Sequence, residues 1–270
     1  MKNKISINSI NEYIKWLKRK NFALETIQKY SRILKQYGIR IFDTDSIADF
    51  LRENLNKCEP ATLRSKRNAL ASYAKFQKII IEWEFINNII PSVQKKCFPT
   101  INHEDLEKLK LTKTKTNQKT NERNKLILEF FFYTGLRVSE LINIRHCDYQ
   151  DQVLRILGKG NKVRYVLLPE FLIKHFDPYS KNYLFLTRNE KKLTKGQIAR
   201  NIKRKTRQAG IKKNISPHTF RRSLATNSYN LGVKLGSIQK QLGHSNLNTT
   251  LDYIHNDHNT LYEDLSKLWR

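Results

Sequence analysis

Apolar positions recur at helical spacing from the start of the chain. Ile10, Tyr13, Ile14 and Leu17 form one such stripe, and after a break at Lys20 and Asn21 the pattern resumes with Leu24, Ile27, Ile33 and Leu34. Gly38 marks the end of this second helix, and Asp45 with Ser46 offers a cap for a shorter one running through Phe50 and Leu51. The stretch Thr62 to Phe76 predicts a further helix with Leu63, Leu70, Tyr73 and Ala74 inward and Arg64, Lys66, Arg67, Lys75 and Lys78 on other faces. Residues 1–90 thus read as a small basic helical domain, and the polar, proline-bounded segment 91–99 as a linker.

From residue 100 the pattern changes. Asn124 to Tyr133 is a strongly apolar helix ending near Gly135, and a helical pattern restarts at Val138 to Ile144. Val153 to Leu157 and Val163 to Leu168 are β-rich runs around Gly158-Lys159-Gly160-Asn161-Lys162, which predicts a hairpin, and a third strand is expected at Tyr183 to Leu186. Helical patterns follow at Thr194 to Ala209, Thr219 to Leu231, Lys234 to Leu242 and Thr249 to Ile254. The expected class is mostly α with a small antiparallel sheet, and residues 100–270 form the second domain. Leu261, Leu265, Leu268 and Trp269 again repeat at helical spacing, on a terminal segment too short to be stable without a surface to dock on.

Charge narrows the function. Lys and Arg number 51 against 24 Asp and Glu, a formal net charge of +27, which points to a polyanionic partner, with nucleic acid ahead of a membrane surface. Between Lys191 and Arg222 there are twelve basic residues and no carboxylate. Such a run suits a phosphate backbone, so Lys203, Arg204 and Lys205 are expected to face DNA, as are Arg64, Lys66 and Arg67 in the first domain. No apolar run approaches the roughly 18 residues of a spanning helix, and residues 1–10 lack the apolar core of a signal peptide, so a soluble cytoplasmic protein is expected. Cys58, Cys97 and Cys147 are scattered, which suggests neither a disulfide framework nor a zinc knuckle.

Several polar residues invite a chemical reading. Arg137, just past Gly135, opens a helix, where a cation opposes the macrodipole and asks for an anion or for a partner such as Glu140. Lys159 lies at the hairpin tip between two glycines, where a lysine is more often merely exposed. His218 and Arg221, three apart behind Ser216-Pro217, share a face of a helix's first turn and suit phosphate oxygens. His244 after Gly243 reads equally as a helix cap, and Tyr253 between Leu251 and Ile254 as core.

Taken together, the segments TGLRVSEL (134–141), GKGNKVR (158–164), SPHTFRRSLAT (216–226) and LGHSNLNTTLDYIH (242–255) resemble those of the tyrosine recombinases, in particular the Xer-like branch with its phage and plasmid integrase relatives. The resemblance implies a phosphate-activating set of Arg137, Lys159, His218, Arg221 and His244, and Tyr253 as nucleophile. It implies an N-terminal core-binding domain ahead of a catalytic domain, and site-specific recombination through a covalent 3′-phosphotyrosine without ATP, metal or other cofactor. It further implies a duplex DNA partner, a monomer in solution that assembles as a homotetramer on paired sites, and a terminal segment that docks on a neighbouring protomer rather than on its own domain. Arg222 stands where many relatives carry histidine. A type IB topoisomerase-like activity, or a DNA-binding regulator without catalysis, are the competing readings.

Overall fold

The computed structural model describes residues 4–92, 98–112, 116–150, 153–158 and 162–243. The chain divides into two compact units, Met1–Lys96 and Cys97–Arg270.

In the first unit, α1 (Ile7–Arg19) starts at Ser6, whose hydroxyl accepts from the Ser9 amide at 3.1 Å, and α2 (Leu24–Tyr37) ends at Gly38 with φ +76°. The third helix, α3 (Thr44–Arg52), is capped by Asp43, whose carboxylate accepts from the Ser46 amide at 2.8 Å. The cap therefore lies two residues earlier than the expected Asp45. A proline at the first position opens α4 (Pro60–Gln77), where its missing N–H costs nothing, and α5 (Trp83–Ile89) follows. Tyr13, Leu17, Leu34, Ile47, Leu51, Leu70 and Ile86 meet in one core. Lys66 corrects the expectation of a DNA-facing side chain: it is buried, donates to Asn54 Oδ1 at 2.8 Å and lies over the Phe50 ring at 5.0 Å. Its place on α4, one turn from both Leu63 and Leu70, carries it inward. Arg67 is likewise engaged, donating to Asn87 Oδ1 at 2.9 Å over the Trp83 ring, whereas Arg64 is exposed.

The second unit begins with α6 (His103–Leu111), α7 (Gln118–Thr134) and the short α8 (Val138–Leu141). A three-stranded antiparallel sheet follows in the order β1 (Tyr149–Gln150), β2 (Val153–Leu157) and β3 (Val163–Leu167). The hairpin was expected, but the third strand is β1 rather than Tyr183 to Leu186. That segment makes only two isolated bridges, Tyr183 with Arg145 and Leu186 with Lys192. Four more helices complete the described part: α9 (Glu170–Ile173), α10 (Lys195–Gln208), α11 (Pro217–Asn230) and α12 (Leu235–Leu242). The core joins Leu106, Leu128 and Phe131 from α6 and α7 to Leu154 and Val166 from the sheet, Ile198 and Ile202 from α10 and Phe220 from α11.

Lys205 is a second correction. It is fully buried, and its ammonium donates to the carbonyls of Leu109 at 3.1 Å and Thr112 at 2.9 Å, the free end of α6. Lys205 falls on the helical phase of Ile198 and Ile202, so it ties α10 to α6, while its neighbours Lys203 and Arg204 are exposed. Among the described residues, no helix is long and apolar enough to cross a membrane. Lys205→Met fills similar space but strands two carbonyls, and urea unfolding is expected to show a loss on the order of 2 kcal/mol. An unchanged midpoint would show that these bonds hold nothing.

Candidate active site

Three turns converge in the second unit. The first ends α7: Gly135 adopts φ +63°, and its amide donates to the Phe131 carbonyl at 3.0 Å. A side chain there would place its Cβ 2.6 Å from Leu242 and 2.8 Å from Leu224, so only glycine permits both the left-handed turn and the close approach. The second turn starts α11, where the Ser216 amide donates to the Thr219 hydroxyl at 3.0 Å behind Pro217. The third ends α12 at Gly243, φ +67°, where a Cβ would fall 2.2 Å from the Arg164 side chain.

Arg221 joins all three. It is only 1% exposed, and it donates from Nη1 to the Gly135 carbonyl at 2.8 Å and from Nη2 to the Leu242 carbonyl at 2.6 Å. Arg137 follows two residues after Gly135 and caps α8. Its amide donates to Glu140 Oε2 and its guanidinium to Glu140 Oε1, both at 2.8 Å. Of the two partners the sequence left open for Arg137, the structure shows the ion pair. Glu140 is buried and also takes both guanidinium nitrogens of Arg164, at 2.6 and 3.1 Å. Burial alone would raise the Glu140 pKa, but the hydrogen bond and charge of Arg164, then the backbone and side-chain hydrogen bonds of Arg137, outweigh it and hold the carboxyl below its ordinary value.

His218 stays accessible on the first turn of α11. Burial of its ring and then the charges of Arg221, Arg222 and Arg137 push its pKa below the usual imidazole range. The neutral, proton-accepting form is thereby favoured near neutral pH. His218 stands three residues before Arg221 on α11, and Arg221 holds the Gly135 carbonyl two residues before Arg137. Arg222 stacks its guanidinium 3.9 Å from the centroid of the Phe98 ring.

The Gly158 amide donates to the Lys162 carbonyl at 2.8 Å and closes the β2–β3 hairpin. A Cβ on Gly158 would lie 4.0 Å from Glu140 Oε1, so the hairpin mouth opens beside the Arg137 pair. Lys159, His244 and Tyr253 lie outside the described residues, as does the segment Leu261 to Trp269. The frame nevertheless places the positions flanking two of them: Gly158 beside Glu140, and Gly243 against Arg164. Arg64, Lys66 and Arg67 belong to α4 of the first unit, and Lys203, Arg204 and Lys205 to α10.

Residues 99–260 match the model of the phage integrase family. The chain belongs to that family. Over 91% of its length it is 30% identical to 93% of the tyrosine recombinase XerD of Staphylococcus haemolyticus. Over 80% it is 32% identical to 74% of the tyrosine recombinase XerC of Chlamydia caviae. Among solved structures, the XerH site-specific recombinase bound to palindromic difH substrate superposes with a TM-score of 0.74 at 25% identity, covering 98% of this chain and 85% of that one. The Tn1549 transposon integrase with transposon right end DNA shares the fold, at TM-score 0.75 and 17% identity over 97% of this chain and 99% of that one. This family member is accordingly an Xer-like tyrosine recombinase, an enzyme of site-specific recombination that cleaves and rejoins DNA strands.

Sequence reasoning missed the role of Arg164, although the signal was present. In β3, residues 164 and 166 share the inward phase while Val163, Tyr165 and Leu167 face outward, so an arginine in that phase calls for a buried carboxylate. Glu140→Gln keeps the shape but removes the charge that two guanidiniums share, and a stability loss of about 3 kcal/mol is expected at pH 7. Because the folded carboxyl titrates lower than the unfolded one, its contribution is complete above the unfolded value near 4.3 and is lost as pH falls through the folded value. Urea titrations of the two proteins should therefore converge below about pH 4; a constant gap down to pH 3 would remove Glu140 from this role.

Proposed function

We propose that Arg137, Lys159, His218, Arg221 and His244 activate a scissile phosphodiester in duplex DNA for attack by Tyr253. The observation that carries the reading is the Arg221 guanidinium, three residues from His218 on α11, bonded to the carbonyls of Gly135, two residues before Arg137, and of Leu242. In the attack, the Tyr253 oxygen forms a bond to phosphorus while the bond from phosphorus to the 5′-oxygen breaks. The phenolic proton passes to neutral His218, which partial burial and then the surrounding arginines keep available as a base. Arg137 and Arg221 oppose the charge that gathers on the non-bridging oxygens, His244 donates to the phosphate, and Lys159 protonates the departing 5′-oxygen. The product is a 3′-phosphotyrosine, and religation reverses the same proton transfers, with the bond energy conserved.

The first unit serves as the core-binding domain, with Arg64 toward phosphate, and Lys203 and Arg204 of α10 extend the contact in the catalytic unit. The active assembly is a homotetramer on paired sites, formed from monomers in the cytoplasm, with the segment from Leu261 to Trp269 docked on the neighbouring protomer. Support for a duplex partner comes from the net charge of +27 and from the DNA-bound XerH relative.

Tyr253→Phe removes one hydroxyl and should abolish covalent attachment to a nicked suicide duplex on a denaturing gel, while the dissociation constant for the same duplex stays within about twofold. A covalent band from the Phe variant would assign the nucleophile elsewhere.

A further inference from the structure

Away from the converging turns, a cavity of about 250 Å³ opens between α7, α10 and the segment Thr187 to Leu193. Its walls carry three arginines, Arg123, Arg188 and Arg204, and no carboxylate. Arg123 is the informative one. It donates from Nη1 to the Leu186 carbonyl at 2.6 Å and from Nη2 to Asn124 Oδ1 at 3.2 Å, and its Nε is buried with no acceptor among the described residues. Burial lowers its pKa, with no opposing charge to offset the effect. Elsewhere in the second unit a buried guanidinium does receive compensation: Arg164 has Glu140. Arg204 reaches the same wall, donating to Asn201 Oδ1 at 3.2 Å, and Arg188 is exposed beside it; neither forms an ion pair among the described residues. A half-buried cation costs free energy until an anion meets it, and planar guanidinium forks match the oxygens of a phosphoryl group.

We propose that this cavity is a second phosphate-binding site, separate from the reaction centre, which takes one phosphoryl group between Arg123, Arg188 and Arg204. The group is either a backbone phosphate of bound duplex or free inorganic phosphate, since both present the same oxygens. The site deepens the assignment of Arg204 to phosphate contact, but it does not depend on the chemistry of Tyr253. Its test requires no cleavage, so failure here and failure of the nucleophile assignment are distinguishable.

The experiment follows the Arg123 Nε–H resonance of the full-length protein, assigned by its loss in Arg123→Lys. Inorganic phosphate is titrated against chloride at matched ionic strength, and then a duplex is added. The expected result is a saturable shift with phosphate and none with chloride. The shift should vanish in the double variant Arg188→Gln, Arg204→Gln, and also in Asn201→Asp, which places a carboxylate in the cavity. If duplex moves the resonance to the same position and the double variant reduces the salt slope of log K by about one unit, the phosphate comes from the backbone. If phosphate alone moves it, the ligand is the free ion. No saturable response to either probe, or a response that persists in both variants, overturns the site.

Discussion

Two helices in the second unit end pointing at the same cation. The carbonyls of Gly135, at the end of α7, and of Leu242, at the end of α12, belong to the orphan groups every helix leaves at its C-terminus. Both are received by the buried guanidinium of Arg221. The negative ends of two helix dipoles are thereby met by one positive charge, an arrangement favourable for each partner where solvent is excluded. The geometry also dictates glycine at both ends. Gly135 and Gly243 take left-handed backbone angles, and side chains there would collide with Leu242 and Leu224 in one case and with Arg164 in the other. An arginine three residues from His218 on α11 therefore sets where the turn before Arg137 lies and where the chain leaves α12 toward His244.

A second node carries this order to the sheet. Glu140 receives Arg137 from its own short helix and Arg164 from β3, and Gly158 at the hairpin mouth approaches the same carboxylate. The edge of β3 is fastened to α12 as well, because the Gln241 side chain exchanges two hydrogen bonds with the backbone of Leu167, at 3.1 and 3.0 Å. Turn, hairpin and α12 thus form one connected frame. In a strand-transfer enzyme, charged groups fixed in advance stabilise developing charge without reorganising at the moment of reaction. Here the fixing is done by backbone carbonyls and one carboxylate rather than by the reacting groups themselves.

Much of the fold was legible because amphipathic periodicity and glycine stops act locally. The hairpin and the helices spanning α1, α2, α4, α7, α10, α11 and α12 were all read from such patterns. What was lost depended on contacts distant in sequence. The run Tyr183 to Leu186 has strand composition, but its neighbours at Arg145 and Lys192 offer only single bridges, and the sheet takes Tyr149–Gln150 instead. The short helices α5 and α9 bury a single side chain each, Ile86 and Leu172, too few for a period to emerge. Lys66 and Lys205 were read by their charge, whereas their helical phase carries them inward, where amide oxygens and helix-end carbonyls receive them. The motif residues Arg137, His218 and Arg221 were visible by type and spacing. The bonds that bring them together, to carbonyls of Gly135 and Leu242, have no side-chain signature to read.

Arg221 organises the turns around it by bonding the carbonyls of Gly135 and Leu242. Amide hydrogen exchange on the Arg221→Lys protein tests this most directly, since lysine keeps the charge but loses the two-pronged reach. Protection is expected to fall together in two segments far apart in sequence, residues 135–141 and 238–243, while α6 and the first unit keep wild-type protection. If both segments exchange as in wild type, the carbonyl bonds are incidental, and Arg221 is not the tie on which the site depends.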